Sequence, residues 1–96
     1  MVNDAAVMRI EDMQASLQAY YGIPVALRQQ GNTVVKCPYC GKMHEHAGSS
    51  GHHEAQCSEN VEITIDDRSF VPNYGYTIVE YVQKDGVNHI LPIDQN

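Results

Sequence analysis

CPYCGKMHEHAGSSGHHEAQC, residues 37–57, decides how this chain reads. The segment holds all three cysteines and four of the five histidines of the sequence. Cys37 and Cys40 stand two residues apart, so one tight turn can aim two sulfurs at one point. Pro38 restricts that turn, and Gly41 permits a positive φ where the chain folds back. Two thiolates at this spacing, with further Cys and His downstream, are the donor set of a tetrahedral zinc site. The second pair of donors must come from GHHEAQC, residues 51–57. His53 and Cys57 are four apart and would share one face of a helix, giving the spacing Cys-x2-Cys-x12-His-x3-Cys. His52 and Cys57 are five apart, which suits a turn instead of a regular helix. His44 and His46 are surplus. On a strand they would share a face. They are read as a second metal site, a replacement for His52, an orienting pair for the ligands, or a solvated pair on the finger.

Outward from this segment the pattern is α+β. Residues 4–21 predict a helix, with Asp4 as N-cap and an apolar stripe of Ala6, Ile10, Met13, Leu17 and Tyr21. Gly22 and Pro24 end it. Val25–Arg28 and Thr33–Lys36 predict two short strands joined by a turn at Gln30-Gly31-Asn32. Val61, Ile63 and Ile65 alternate with polar residues, as in a half-buried strand. Asp66-Asp67-Arg68 reads as a turn and Phe70–Gly75 as a loop. Tyr76–Gln83 and Val87–Leu91 flank Lys84-Asp85-Gly86, a hairpin signal. The expected architecture is one domain, residues 1–96, with an N-terminal helix packed on a small antiparallel β-sheet. A zinc-finger segment of zinc-knuckle or treble-clef type, residues 37–57, is inserted between its strands.

Composition limits the function classes. A chain of 96 residues buries a modest share of its surface, and a metal is a common supplement to such a core. Net charge is −6, and the six Lys and Arg residues are scattered. Nucleic-acid binding depends on Lys and Arg displacing counterions, so this composition disfavours it. An acidic surface suits solubility or a basic partner. The odd cysteine count opposes a disulfide framework and points to a reducing, cytoplasmic setting. The start, MVNDAAVMRIEDMQ, lacks the features of a signal peptide, and no stretch reaches the length of a membrane span.

Cys37-Pro38-Tyr39-Cys40 is similar to the active-site tetrapeptide of glutaredoxins. That resemblance implies a strand before the motif and a long helix after it, whose N-terminus lowers the thiol pKa. Val34-Val35-Lys36 supplies the strand, but Gly41 follows at once and no amphipathic helix pattern comes next. Zinc deaminases place His-x-Glu before Pro-Cys-x-x-Cys. Here His52-His53-Glu54 follows the cysteine pair, so the order excludes that class. A His-Asn-His nuclease would need a second constellation and a basic groove, whereas Asn60 and His89 are isolated. Glu45 and Glu54 are the candidate acid–base groups of a catalytic zinc. No complete catalytic constellation emerges, so a non-enzymatic protein is favoured over an enzyme.

The segment also resembles a pattern found in small zinc-binding proteins of phages and actinobacterial genomes, Cys-Pro-Tyr-Cys-Gly-x-x-His-x-His-Gly, a spacer, then Gly-His-Arg-x-Ala-His-Cys. Cys37, Pro38, Tyr39, Cys40, Gly41, His44 and His46 match, as do Gly51, His52, Ala55 and Cys57. Ala47 interrupts the first half, His53 replaces the Arg, and Gln56 replaces the penultimate His. The match covers about 21 of 96 residues. The resemblance implies the ligand set Cys37, Cys40, His52 and Cys57, with His53 the rival of His52. Small size, acidity, a structural metal and the lack of a complete catalytic constellation suggest a structural-zinc protein that binds another protein, as a phage-borne regulator or inhibitor would in the host cytoplasm. The alternative is a glutaredoxin-like redox protein or a small zinc enzyme. The long strand Tyr76–Gln83 could also pair across a homodimer. Finally, residues 37–57 are expected to bury few apolar side chains and to depend on zinc for order. Zinc binding worth roughly 10–16 kcal/mol in such modules stands against an ordering cost of about 1–2 kcal/mol per residue.

Overall fold

The computed structural model describes residues 9–93. Helix α1 spans Ile10–Tyr21 and precedes strand β1, Val25–Gln29. Strands β2 (Val34–Lys36), β3 (Met43–Glu45) and β4 (Gly51–His53) follow. Then come β5 (Ile63–Ile65), β6 (Arg68–Phe70), a 3-10 turn at Pro72–Tyr74, β7 (Tyr76–Lys84) and β8 (Val87–Ile90). The α+β class expected from the sequence is therefore present. No helix among the described residues is long and apolar enough to cross a membrane.

Arg9 is extended, so α1 begins at Ile10 without a side-chain cap. The expected cap Asp4 and stripe residue Ala6 lie outside the described residues. Gly22 ends the helix in the left-handed region at φ 72°, and its N–H donates to Gln18 O at 2.7 Å. Two glutamines of α1 bind the backbone of the first β1 residue. Gln14 Nε2 donates to Val25 O at 2.7 Å, and Val25 N–H donates to Gln18 Oε1 at 3.1 Å. Backbone groups at the buried start of β1 are thus satisfied without a neighbouring strand.

β7 is the central strand. It runs parallel to β1, with Val25 opposite Thr77 and Gln29 opposite Tyr81. Along its other edge it pairs antiparallel first with β4 and then with β8. Tyr76–Gln83 is therefore no open edge for a second copy of the chain. Nor do β1 and β2 form the expected hairpin. The turn exists, with Asn32 N–H donating to Gln29 O at 2.9 Å. Beyond it, however, β2 pairs with β3, while β1 pairs along its whole length with the longer β7. The sheet is consequently mixed. β6 takes in the last residue of the expected turn, Arg68, and the first of the expected loop, Phe70, and it pairs with β5 across Asp66-Asp67. Both aspartates have positive φ, 50° and 67°, as a two-residue type I′ hairpin turn requires.

Period-two alternation sorts the sheet residues onto two faces. Val25, Leu27 and Val79 pack with Met13, and Ile10, Leu17 and Tyr81 line the margin. Ala26, Tyr76 and Ile78 point the other way, onto Val35, Cys37, Tyr39, Ala55, Ile65 and Phe70. The finger segment thus shares a hydrophobic core with the sheet. This corrects the expectation that residues 37–57 bury few apolar groups: Cys37, Tyr39 and Ala55 are all buried.

Arg28 lies on that second face and is only 3% exposed. Its Nε pairs with Glu80 Oε2 at 3.0 Å, while Nη1 and Nη2 donate to His46 O and Gly48 O at 2.7 Å each. One guanidinium therefore ties β1 and β7 to the chain that leaves β3. Replacing it leaves buried acceptors unpaired, at a cost of about 3 kcal/mol or more. Arg28→Ala should lower unfolding stability by about that amount in urea denaturation, whereas Lys84→Ala, on the exposed end of β7, should change it by less than ~0.5 kcal/mol.

Candidate metal centre

β2 leads directly into the cysteine turn. Cys37 N–H donates to Lys42 O and Gly41 N–H donates to Cys37 O, both at 2.9 Å. Gly41 takes φ 76°, as its place in the turn requires. Tyr39 N–H points at Cys37 Sγ at 3.4 Å, a donor that favours the thiolate. Tyr39 itself is buried, and its hydroxyl donates to Gly75 O at 2.6 Å. That bond fastens the turn to the start of β7. Burial pushes the Tyr39 phenol up to about 12, which keeps it a donor.

The turn delivers the chain into β3, and the third donor comes from that strand. His44 sits opposite Val35 in the β2–β3 pair, with Nε2 3.3 Å from Cys40 Sγ. Cys57 supplies the fourth donor, following Gln56, which takes φ 54°. The donor atoms of Cys37, Cys40, His44 and Cys57 all lie within 4.8 Å of one another. A zinc tetrahedron with Zn–S bonds of about 2.3 Å needs sulfurs ~3.8 Å apart, so this set fits the ion with small adjustments. Cys37 is buried and the other three are half-buried.

Electrostatics within the cluster are uneven. Burial pushes the Cys37 thiol up to about 11 against its N–H donors. At Cys40 burial also pushes upward, but hydrogen bonds from His44, the Lys42 backbone and the neighbouring thiols outweigh it and bring the thiol down to about 7. Lys42 forms an exposed ion pair with Glu59 at 3.1 Å, linking the turn to the chain just after Cys57. Exposed pairs of this kind contribute little stability. A zinc held by three thiolates and a neutral imidazole would carry a net charge of −1.

Three of the four ligands expected from the sequence meet here. The fourth residue of the cluster is His44, the alternative to His52 that the sequence left open. His52 is exposed on β4, and its ring meets the edge of Tyr74 at 5.4 Å. The rival His53 directs Nε2 to Ser49 O at 2.8 Å, with its ring 5.5 Å from that of His46. The reason is local geometry. Residues 51–53 form a strand hydrogen-bonded to β7, not a helix, so the four-residue spacing from His53 to Cys57 does not place both on one face. Gly75 reinforces this packing. A Cβ there would stand 2.4 Å from His53 O and 3.0 Å from His52 Nε2, so the strand lies too close to admit any side chain.

His46 also differs from a solvated residue. It is buried, with Nε2 2.6 Å from the Tyr76 hydroxyl, which donates onward to Ala55 O at 3.2 Å. With the hydroxyl proton directed at Ala55, the His46 Nε2–H supplies the proton of the shorter contact. Burial, followed by the nearby His53, His44 and Arg28, lowers its pKa and keeps the ring neutral. His46 therefore joins the finger to the sheet, while His44 turns to the sulfurs. The signal for His44 in the sequence was its place four residues after Cys40, within the same hairpin.

Glu45 accepts from Thr33 Oγ1 at 3.3 Å on the surface. Glu54 lines an open pocket of about 530 Å³ with Cys57, Pro72 and Asn73. Neither carboxylate belongs to the four-donor cluster. Comparison with protein-family models, curated proteins and solved structures returned no significant match.

The two halves of the finger differ in what holds them. The Tyr39, Ala55 and Tyr76 side rests on buried apolar contacts, whereas Cys40 and Cys57 lie at the margin of that core, where a bound ion would hold them. Chelating the metal should raise amide hydrogen exchange at residues 40–45 and 56–59 by at least about tenfold, with β1 and β7 protected as before. Equal loss of protection across β7, read by mass spectrometry, would contradict this division.

Proposed function

We propose that this chain is a small structural-zinc interaction protein, without enzymatic activity of its own. The observation that carries the reading is the closed donor set. Cys37, Cys40, His44 and Cys57 supply four protein ligands from three separate stretches of chain. Structural zinc sites have this form, whereas catalytic ones keep a position for water or substrate. The ion would lock the β2–β3 hairpin to the Cys57 segment and present a fixed acidic surface to a partner. A regulator or inhibitor of a host protein, phage-borne as the motif resemblance suggests, matches that chemistry. The glutaredoxin-like alternative is weakened by the chain after Cys40, which enters strand β3 instead of a helix.

Zinc content of freshly reduced, untagged protein tests the reading. Wild type and His52→Ala should each carry one zinc per chain. Cys57→Ser and His44→Ala should bind it at least about tenfold more weakly, in competition with a chromogenic chelator. A stoichiometric partner retained by the wild type and lost by His44→Ala would support the interaction role. Equal zinc affinity in His44→Ala and wild type would remove the ligand assignment.

A further inference from the structure

The structure assigns a second property to the same cluster, and the assignment rests on the zinc reading above: we propose that the site is a peroxide-sensitive zinc release switch in which Cys40 and Cys57 join as a disulfide and Cys37 stays reduced. Three features of the cluster lead there. First, its three thiols differ in access. Cys37 is 1% exposed beneath Tyr39 and Tyr76, whereas Cys40 and Cys57 are half-buried. A small oxidant therefore meets Cys40 or Cys57 first. Secondly, Cys57 lines the open pocket of about 530 Å³ with Glu54, Pro72 and Asn73, a route wide enough for a hydroperoxide. Thirdly, all the cysteines of the chain are in this cluster, and their sulfurs lie within 4.8 Å of one another, so an oxidised sulfur has a resolving thiolate beside it.

The chemistry balances with hydrogen peroxide as oxidant. One thiolate attacks a peroxide oxygen. The O–O bond breaks, an S–OH group forms and hydroxide leaves. The second thiolate attacks that sulfur, forming the S–S bond and expelling a second hydroxide. Two sulfurs together give up two electrons, and the peroxide takes them. Zinc changes no oxidation state; it departs because two of its four ligands are gone. Cys40 and Cys57 come from separate stretches, the cysteine turn and the chain after β4. Their disulfide would close the same loop that the ion closes, so the oxidised finger would remain pinned after the metal has left. A dithiol reductant with added zinc should restore the starting state.

The test uses the full zinc-loaded chain and hydrogen peroxide. Released zinc is followed with a chromogenic chelator, and thiols are mapped by alkylation, proteolysis and mass spectrometry. The expected result is one zinc released per disulfide, a Cys40–Cys57 link, an alkylatable Cys37 on unfolding, and recovery of bound zinc after reduction. Zinc that stays bound after a tenfold peroxide excess would overturn the switch and leave the structural site standing. So would release accompanied by a Cys37–Cys40 link or by sulfinic acids. Protein that holds no zinc before peroxide is added would overturn the site and the switch together.

Discussion

Parallel strands cannot be joined by a tight turn. The pairing of β1 with β7 therefore obliges everything between them to cross over and return. In this chain the crossover is not a helix. It is the cysteine turn, two short hairpins and a metal cluster, packed on the sheet face opposite α1. The sheet thus carries a different kind of support on each side. α1 covers one face by ordinary apolar packing around Met13, and the finger covers the other with Val35, Cys37, Tyr39 and Ala55. A crossover with so little regular structure needs fixed points, and the four donors provide one of them.

The other fixed points are polar and buried. Arg28 reaches from β1 to the carbonyls of His46 and Gly48, and to Glu80 on β7. Tyr39 reaches Gly75, and His46 reaches Tyr76. Each links the finger to β1 or to the β7 end of the chain, and each would cost free energy if its partner were displaced. Together they set the position of the β2–β3 hairpin before any ion is considered. The four donors thus stand in a site largely prepared by the fold, where a bound zinc would draw the half-buried sulfurs of Cys40 and Cys57 onto His44.

Local features of the fold were legible in the sequence. Gly22 and Pro24 marked the end of α1, and Lys84-Asp85-Gly86 marked a hairpin whose Asp85 and Gly86 take φ 54° and 76°. Cys37, Cys40 and Cys57 were legible because a single chemistry explains all three. What could not be read were partners set by distant chain. Nothing in Val25–Arg28 says that it pairs with Tyr76–Lys84 and not with the strand just after it. The histidine that stands with the three cysteines, His44, could not be chosen over His52 and His53 for the same cause. GHHEAQC looks able to present a histidine and a cysteine on one helical face, but pairing of β4 with β7 makes it a strand and sends both histidines elsewhere. Arg28 was hidden for a related reason. A charged residue at the end of an apolar strand normally faces water, and it takes the carbonyls of His46 and Gly48 and the carboxylate of Glu80, all distant in sequence, to justify its burial. β6 was obscured because Arg68 reads as the end of a turn and Phe70 as the start of the loop that Pro72 and Gly75 signal, which leaves only Ser69 between them.

X-ray absorption at the zinc edge tests the central claim most directly, on untagged wild-type protein purified with its native metal. The expected spectrum has three sulfur neighbours at about 2.3 Å and one nitrogen at about 2.0–2.1 Å, with imidazole scattering behind that nitrogen. Two histidine nitrogens, or an oxygen in place of the nitrogen, would contradict the closed Cys37, Cys40, His44 and Cys57 site. The second of these would return the protein to the class of zinc enzymes.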